Sequence, residues 1–503
     1  NNLHKETVME IKLFINGQFK DSSDKIIKTS FDPSNGAEVA KYHVPSAKDI
    51  EEAVQAANNA FYNPTWKNMS QDERADLLLK ISEKIKERAK EIVDIEVRDS
   101  GSTLRKAKAD VHNTSAFFKV MSKVARELKL SVKDEAASRA GFSINSREFA
   151  PIGVCAQIIP WNFPLVMAGW KIGPILATGC TTVLKSAEET PASAAILAEI
   201  IRDAGVPAGV VNIITGGADV GRALISHPLV KKVAFTGSTQ VGKEILKNTA
   251  GGVLNATMEL GGKSANIVLN DADLSIAVDG ALYAFLYHSG QACDSGTRLL
   301  VQEGIYPEFM EKFLARIKDV KVAPTTDPNA GYGPVVSEKQ MKTILGFIEK
   351  TKSEDGKLLY GGNRKMDGDF AKGFFIEPTA FEITPKHTIF QEEIFGPVVG
   401  ITKFKTEEEA VALANNSKYG LAGAVWSKDA DKAHKLASQL EAGTVWINEY
   451  HLLNPGMPFG GFKESGIGRE MGPEGIMSYL EVRHVWESDC NEREKKVWLD
   501  AIF

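Results

Sequence analysis

Between Gly153 and Phe235 four short apolar runs alternate with stretches of helical periodicity, and this constrains the fold more than any other feature. The runs are GVCAQII (153–159), TTVLK (181–185), VVNIIT (210–215) and KVAF (232–235). Helical patterns follow the last three: an Ala-rich stretch from Pro191 to Ala204, then 219–226 and 239–249. Short fully apolar strands alternating with helices imply β-α-β units, a parallel sheet buried on both faces, and right-handed crossovers. A second alternation starts at ANIVL (265–269). It continues through a helix over 274–288, a strand over 298–301 and a helix over 307–319. The spacing therefore predicts two α/β lobes. Ahead of them, IKLFINGQFK and FDPSNG read as two strands and a turn. The stretches 47–61, 71–99 and 104–125 then read as amphipathic helices. The segment 352–373, rich in Gly and charge, reads as loop, and the last stretch, NEREKKVWLDAIF, as a docked or frayed tail.

A chain of 503 residues exceeds one core and suggests two to four domains. Its 43% apolar and 25% charged content is that of a globular protein. The net charge of -5 gives no sign of a nucleic-acid surface or a lipid-binding face. No apolar run reaches the roughly 18–20 residues that span a bilayer. NNLHKETVMEIK lacks the apolar core of a signal peptide. Cys155, Cys180, Cys293 and Cys490 have no C-x-x-C spacing, which argues against a disulfide scaffold or a zinc site and for a reducing compartment. These features predict a cytoplasmic enzyme without a metal centre.

FTGSTQVGKE (235–244) follows the KVAF strand and opens a helix, the setting in which free N–H groups and the helix dipole hold phosphate. Gly237, Gly242 and Lys243 fit the triphosphate loop G-x-x-x-x-G-K-[S/T], but Glu244 stands where the metal-binding hydroxyl belongs. That points to a diphosphate, although the G-x-G-x-x-G fingerprint occurs nowhere in the chain. A tight glycine turn with Lys243 in solvent fits the loop equally well. Lys185 ends the TTVLK strand, and Glu188 follows in its turn. A carboxylate there can bond ribose hydroxyls and repel a 2′-phosphate, favouring NAD over NADP. A surface ion pair is the plainer reading of the same two residues.

Cys293 lies in HSGQACDSGTR, a glycine-flanked turn between helix and strand, where a thiol can be exposed and activated. Most cysteines are inert core residues, and Cys155 and Cys180, in apolar runs, fit that role. Two segments single out Cys293. IIPWNFP puts Asn162 beyond the carboxyl end of a parallel strand, where its amide can donate to an oxyanion. MELGGK puts Glu259, a candidate general base, before two glycines that permit close backbone approach.

Asn162, Glu259 and Cys293, with PWNFP, FTGSTQVG, MELGGKSANIV, GQAC, EEIFGPV and PFGGFKESGIGRE in this order, resemble the NAD(P)-dependent aldehyde dehydrogenase superfamily over nearly the whole chain. The resemblance implies two open parallel-sheet lobes plus a small β bridging arm. Residues 1–128 and 152–261 would form the NAD-binding domain and 262–479 the catalytic domain. Residues 129–151 and 480–503 would form the oligomerisation arm and tail, with Arg469 and Glu481 at the interface of a homodimer or homotetramer. Gly217, Gly237, Ser238, Gly242 and Trp161 would face the cofactor, NAD more readily than NADP. Lys185 and Glu188 would hold its adenosine ribose, and Glu393 and Phe395 its nicotinamide ribose, with Glu392 structural.

The implied reaction oxidises an aldehyde to a carboxylic acid. Cys293 forms a thiohemiacetal and then a thioester, Asn162 and the Cys293 N–H hold the oxyanion, and Glu259 activates the hydrolytic water. Each oxyanion donor is worth roughly 3 kcal/mol of barrier. Met167, Trp170, Tyr287 and Phe459 match tunnel positions and suggest an apolar or aromatic aldehyde, or a quaternary amine in an aromatic cage. Asp294 departs from the small or uncharged residue usual after the nucleophile. A carboxylate facing the sulfur would raise its pKa, and it could instead point away or favour a cationic substrate. Glu259 favours water over coenzyme A as acyl acceptor. A cofactor-independent cysteine esterase lacks a clear base, since His288 reads as a helix end, and a non-catalytic relative would be expected to have lost Cys293 or Glu259.

Overall fold

The computed structural model describes residues 7–502. Residues 1–6 of the amino-terminal stretch and Phe503 of the tail lie outside the described residues. An eight-stranded sheet has at its centre five parallel strands, in the spatial order Asn255–Glu259, Lys232–Thr236, Val154–Ile158, Thr181–Ser186, Val211–Thr215. In chain order this is 5-4-1-2-3, so the direction of winding reverses between Val154–Ile158 and Lys232–Thr236. Such a switch point opens a crevice at the carboxyl ends of the strands. The antiparallel hairpin Leu13–Ile15 and Gln18–Lys20 caps one edge. The two-residue strand Gly466–Ile467, from the far end of the chain, caps the other beside Glu259.

The second lobe is a seven-stranded sheet in the order Lys357–Tyr360, Thr379–Glu382, Val398–Phe404, Arg298–Gln302, Ala265–Val268, Ala422–Trp426, Thr444–Ile447, parallel except for its first strand. Both sheets are buried by the mechanism the apolar runs imply. Val183, Val233, Ile267 and Leu300 are all at 0% exposure within separate core clusters. A three-stranded antiparallel arm, Leu480–Ser488, Ser143–Pro151 and Ser131–Lys133, stands apart from both lobes.

Three expectations need correction. The stretch 71–99 is two helices, Gln71–Glu87 and Ala89–Ser100. The chain turns at Arg88, whose guanidinium bridges Glu91 and Glu199 at 2.7 Å each, and the apolar period runs through the break without registering it. The segment 352–373 contains a strand, Lys357–Tyr360, an antiparallel edge whose Leu358 is exposed, so it lacks the apolar run that marks a central strand. The helix 274–288 stops at Leu286, because His288 and Ser289 adopt φ of 50° and 59°. The tail folds onto its own arm, with Trp498 edge-on to Phe142 at 5.3 Å and Arg493 paired to Asp500 at 2.7 Å.

Candidate active site

The turn that carries Cys293 is built from the broken helix. Three successive residues in the left-handed region, His288, Ser289 and Gly290, reverse the chain after Leu286. Only a glycine fits at 290, where a side chain would strike the main chain of Gly396. Ser289 Oγ donates to the Gly333 carbonyl at 2.8 Å, and Gln291 Oε1 accepts from Val336 N at 2.9 Å. On the far side, the buried Arg298 guanidinium donates to the carbonyls of Lys263, Leu413 and Ala414 at 2.7–2.9 Å. Cys293 is half-buried between these anchors, whereas Cys155 and Cys180 are fully buried core residues. Burial pushes the Cys293 thiol well above the ordinary cysteine range, and the carboxylates of Asp294, Glu393 and Glu259 add to the shift.

Asn162 lies beyond the strand Val154–Ile158, and its Nδ2 donates to the Gln291 carbonyl at 2.8 Å, two residues before Cys293. An amide carries two N–H bonds, so one donor remains for a ligand. The Asn162 carbonyl is held by Lys106 Nζ at 3.4 Å and by the His288 ring. Lys106 is itself buried in an ion pair with Asp110 at 2.5 Å and lies 4.1 Å over the Phe163 ring. Burial drives the His288 imidazole well below its usual value, so it stays neutral.

Glu259 ends the strand Asn255–Glu259 at 3% exposure, and neither carboxyl oxygen has a partner among the described residues. Burial first, then the neighbouring Glu470, raise its pKa well above the carboxylate range, while Lys171 opposes the shift. Lys171 is paired with Glu470 and donates to Thr236 Oγ1 at 2.7 Å. The loop after Glu259 passes close to the nucleophile: a Cβ on Gly262 would collide with the Cys293 carbonyl, and one on Gly261 with the Glu393 carboxylate.

A cavity of about 440 Å³ brings Cys293 and Glu259 to one space. Met167, Trp170, Tyr287 and Phe459 line it, as do Asp110, Thr236, Asp294, His451 and Glu470. Met167 and Trp170 share the helix Pro164–Thr178, Tyr287 and Phe459 come from distant segments, and Trp170 meets Phe459 edge-on at 5.6 Å. Asp294 bonds His451, Oδ1 to Nδ1, at 3.1 Å. Lys106, Lys171, Glu470 and His451 were not singled out by sequence reasoning. The i, i+4 spacing of Lys106 and Asp110 on one helix was the available signal for that pair. For the others, tertiary contact alone supplies the partner.

The crevice at the switch point holds the remaining candidates. Ser238, exposed, caps the helix Thr239–Ala250 by accepting from Val241 N through its side chain, between Gly237 and Gly242. Lys243 points elsewhere, into an ion pair with Glu464 at 2.8 Å, so the triphosphate-loop lysine takes no part. Lys185 is buried, bonds the Gly216 carbonyl and is held down to about 8 by burial. Glu188 is oriented by Lys28 at 2.6 Å and Tyr42 at 3.3 Å, and a Cβ on Gly217 would reach its carboxylate. Trp161 meets Phe395 edge-on at 5.3 Å, and Glu393, raised to about 7 by burial, accepts from Gly262 N at 3.1 Å. An open helix N-terminus between a carboxylate on one flank and a second carboxylate near the nucleophile on the other fits a dinucleotide. Among the described residues the one cluster with metal-ligand spacing, Glu10, Asp21 and His43, already holds Lys12, 3.0 Å from Asp21.

Comparison with known proteins identifies the family. The model of the aldehyde dehydrogenase family matches residues 19–485. The human mitochondrial aldehyde dehydrogenase is 42% identical over 485 residues, covering 94% of this chain and 91% of that protein. Betaine aldehyde dehydrogenase of Bacillus subtilis (strain 168) is 39% identical over 486 residues, covering 95% and 98%. Among solved structures, betaine aldehyde dehydrogenase from Staphylococcus aureus in complex with NAD+ superposes with a TM-score of 0.93 at 37% identity, covering 96% of each chain. The chain belongs to the aldehyde dehydrogenase family, NAD(P)-linked oxidoreductases that act on aldehydes.

Proposed function

We propose that the protein oxidises a neutral apolar or aromatic aldehyde to its carboxylic acid with NAD, using Cys293 as nucleophile and Glu259 as base. The observation that carries this reading is the shared cavity: a half-buried thiol and an unpartnered buried carboxylate open onto one apolar space. The Cys293 thiolate adds to the aldehyde carbonyl, and the resulting oxyanion takes the free N–H of Asn162 and the Cys293 main-chain N–H. NAD, when bound, supplies the two-electron acceptor for the aldehyde hydrogen. Lys185 and Glu188 would hold its adenosine ribose, with Gly217 beside them. The helix end at Gly237, Ser238 and Gly242 would hold its diphosphate, with Trp161 nearby, and Glu393 and Phe395 the nicotinamide ribose. Cys293 then carries the acyl group as a thioester. Glu259 removes a proton from water, which attacks the thioester and releases the acid, and the sulfur leaves as thiolate. The base has to be a separate residue because the sulfur is occupied throughout deacylation. Glu470 and Lys171, behind Glu259, can take up that proton's charge.

Substrate class follows from the pairing of charges. Asp110 is matched by Lys106, Glu470 by Lys171, and Asp294 is hydrogen-bonded to His451. Glu259, without a partner among the described residues, is pushed by burial toward its neutral form, so the walls offer a cation little beyond the aromatic rings. Neutral aldehydes should therefore outcompete betaine aldehyde. Glu188 favours NAD, since a 2′-phosphate would meet its carboxylate. The four cysteines are unpaired, which suits a reducing, cytoplasmic setting. No helix among the described residues is long and apolar enough to cross a membrane. We place the cofactor domain at 1–128 and 152–261 and the catalytic domain at 262–479. The arm and tail, 129–151 and 480–503, serve assembly. The edge strand Leu480–Ser488 is paired on one side only and exposes Val482 and Trp486, consistent with a homodimer or homotetramer.

Glu259→Gln provides the direct test, read by NADH absorbance with an aromatic aldehyde. One equivalent of NADH per site should form in a burst, followed by a steady rate reduced about 100-fold or more, the scale of a lost general base. Cys293→Ala should show neither burst nor turnover. Full steady turnover in Glu259→Gln would remove Glu259 from deacylation, and activity in Cys293→Ala would end the proposal.

A further inference from the structure

Asp294 and His451 face the aldehyde cavity, and the chemistry above uses neither. His451 sits on the loop after Thr444–Ile447, at φ 64°, following Asn448 at φ 55°. The Asn448 amide is tied to both main-chain groups of Ser427 at 2.9 Å, which locks the loop. The buried imidazole then has an oxygen against each nitrogen: the Ala284 carbonyl 3.1 Å from Nε2 and Asp294 Oδ1 3.1 Å from Nδ1. A carbonyl only accepts, so Nε2 must carry hydrogen. A neutral imidazole has one N–H, and Nδ1 would then meet a carboxylate oxygen lone pair to lone pair. Both contacts form together only when one more proton lies between ring and carboxyl.

Tyr450, Tyr283, Tyr287 and Trp446 surround the imidazole with centroids at 4.9, 5.2, 5.2 and 6.3 Å. The Tyr450 hydroxyl also donates to the Asp294 carbonyl at 2.8 Å, fixing the main chain beside the nucleophile. The other charged groups near this pair are Glu449, beside Tyr283, Asp110, beside Tyr283 and Tyr287, Arg298, beside Tyr450, and Glu393 and Glu259, which with Asp294 act on the Cys293 sulfur. Asp110 is already neutralised by Lys106. Among the described residues His451 is the basic side chain within hydrogen-bond reach of Asp294.

From this geometry we infer that His451 is a positioning residue for the thiol: it holds a proton against Asp294, balances the negative charge next to Cys293, and so lets the sulfur form its thiolate. The inference rests on the reading of Cys293 as nucleophile.

The test is the rate of Cys293 alkylation by iodoacetamide against pH. It is read by mass on the Cys293 peptide, in full-length protein carrying Cys490→Ser. His451→Asn leaves Asp294 as a bare carboxylate, so the midpoint for Cys293 should rise by about one unit and alkylation at pH 7.5 should slow roughly tenfold. Asp294→Asn should move the midpoint down and speed alkylation, and adding it to His451→Asn should restore at least the parental rate. An unchanged profile in His451→Asn overturns the inference, as does slow alkylation that persists in the double variant. Should His451→Asn fail to fold, a profile in Asp294→Asn that does not move downward overturns it alone. Alkylation needs no aldehyde turnover. Variants that shift as stated while no aldehyde yields NADH would refute the proposed reaction and leave the His451–Asp294 pair standing.

Discussion

At the scale of single residues the site is a set of buried ionisable groups whose ordinary protonation states are displaced. Burial raises both the Cys293 thiol and the Glu259 carboxyl, and the neighbouring acids push each further in the same direction. The proposed reaction needs both deprotonated, one to attack and one to activate water. Raised pKa values mean that protons are retained to higher pH, so kcat/KM should climb from neutral toward alkaline pH. A profile that falls over this range, measured with saturating NAD, would contradict the assignment of both groups. Asn162, Glu259 and Cys293 stand out in the sequence because amide, carboxylate and thiol each lie in or directly before a distinctive glycine- or proline-bounded turn. Their counter-charges do not, because Lys171 lies 299 positions from Glu470 and no local pattern links them.

At the scale of elements, the helix Thr239–Ala250 carries the largest share of the proposed cofactor site. Its Ser238 cap accepts from Val241 N, and the strand Lys232–Thr236 delivers that end to the switch point. Replacing a cap serine by alanine costs typically about 1 kcal/mol. Ser238→Ala should loosen the first turn of this helix and raise KM for NAD, with a much smaller change in KM for aldehyde; the reverse split would place the dinucleotide elsewhere. The parallel strands were legible from their apolar runs. The break at Arg88 and the strand Lys357–Tyr360 were not. The first interrupts a continuous amphipathic period, and the second is an exposed edge held by one neighbour.

At the scale of the molecule, the two lobes are joined where the strand Gly466–Ile467 pairs with Asn255–Glu259, and Leu260 N donates to the Ser465 carbonyl at 2.9 Å. This late crossing brings Glu470 beside Glu259. The arm is the opposite case, a nine-residue edge strand with apolar side chains toward solvent. An unsatisfied, apolar edge invites a second chain. Val482→Asp should lower the molar mass measured by light scattering toward that of a single 54.7 kDa chain, and an unchanged mass would exclude this strand from the interface.

By itself, the sequence determined the α/β architecture and the family and singled out the three groups proposed to react, because apolar periodicity and short glycine-bounded turns are local properties. Only the tertiary structure decided that Lys243 serves Glu464, that Asp294 lies against His451, and that Asp110 is matched by Lys106 rather than left for a substrate. The physical reason is that a buried charge is defined by what lies across the gap from it, and those partners are set by packing between distant segments or by which face of a helix turns inward.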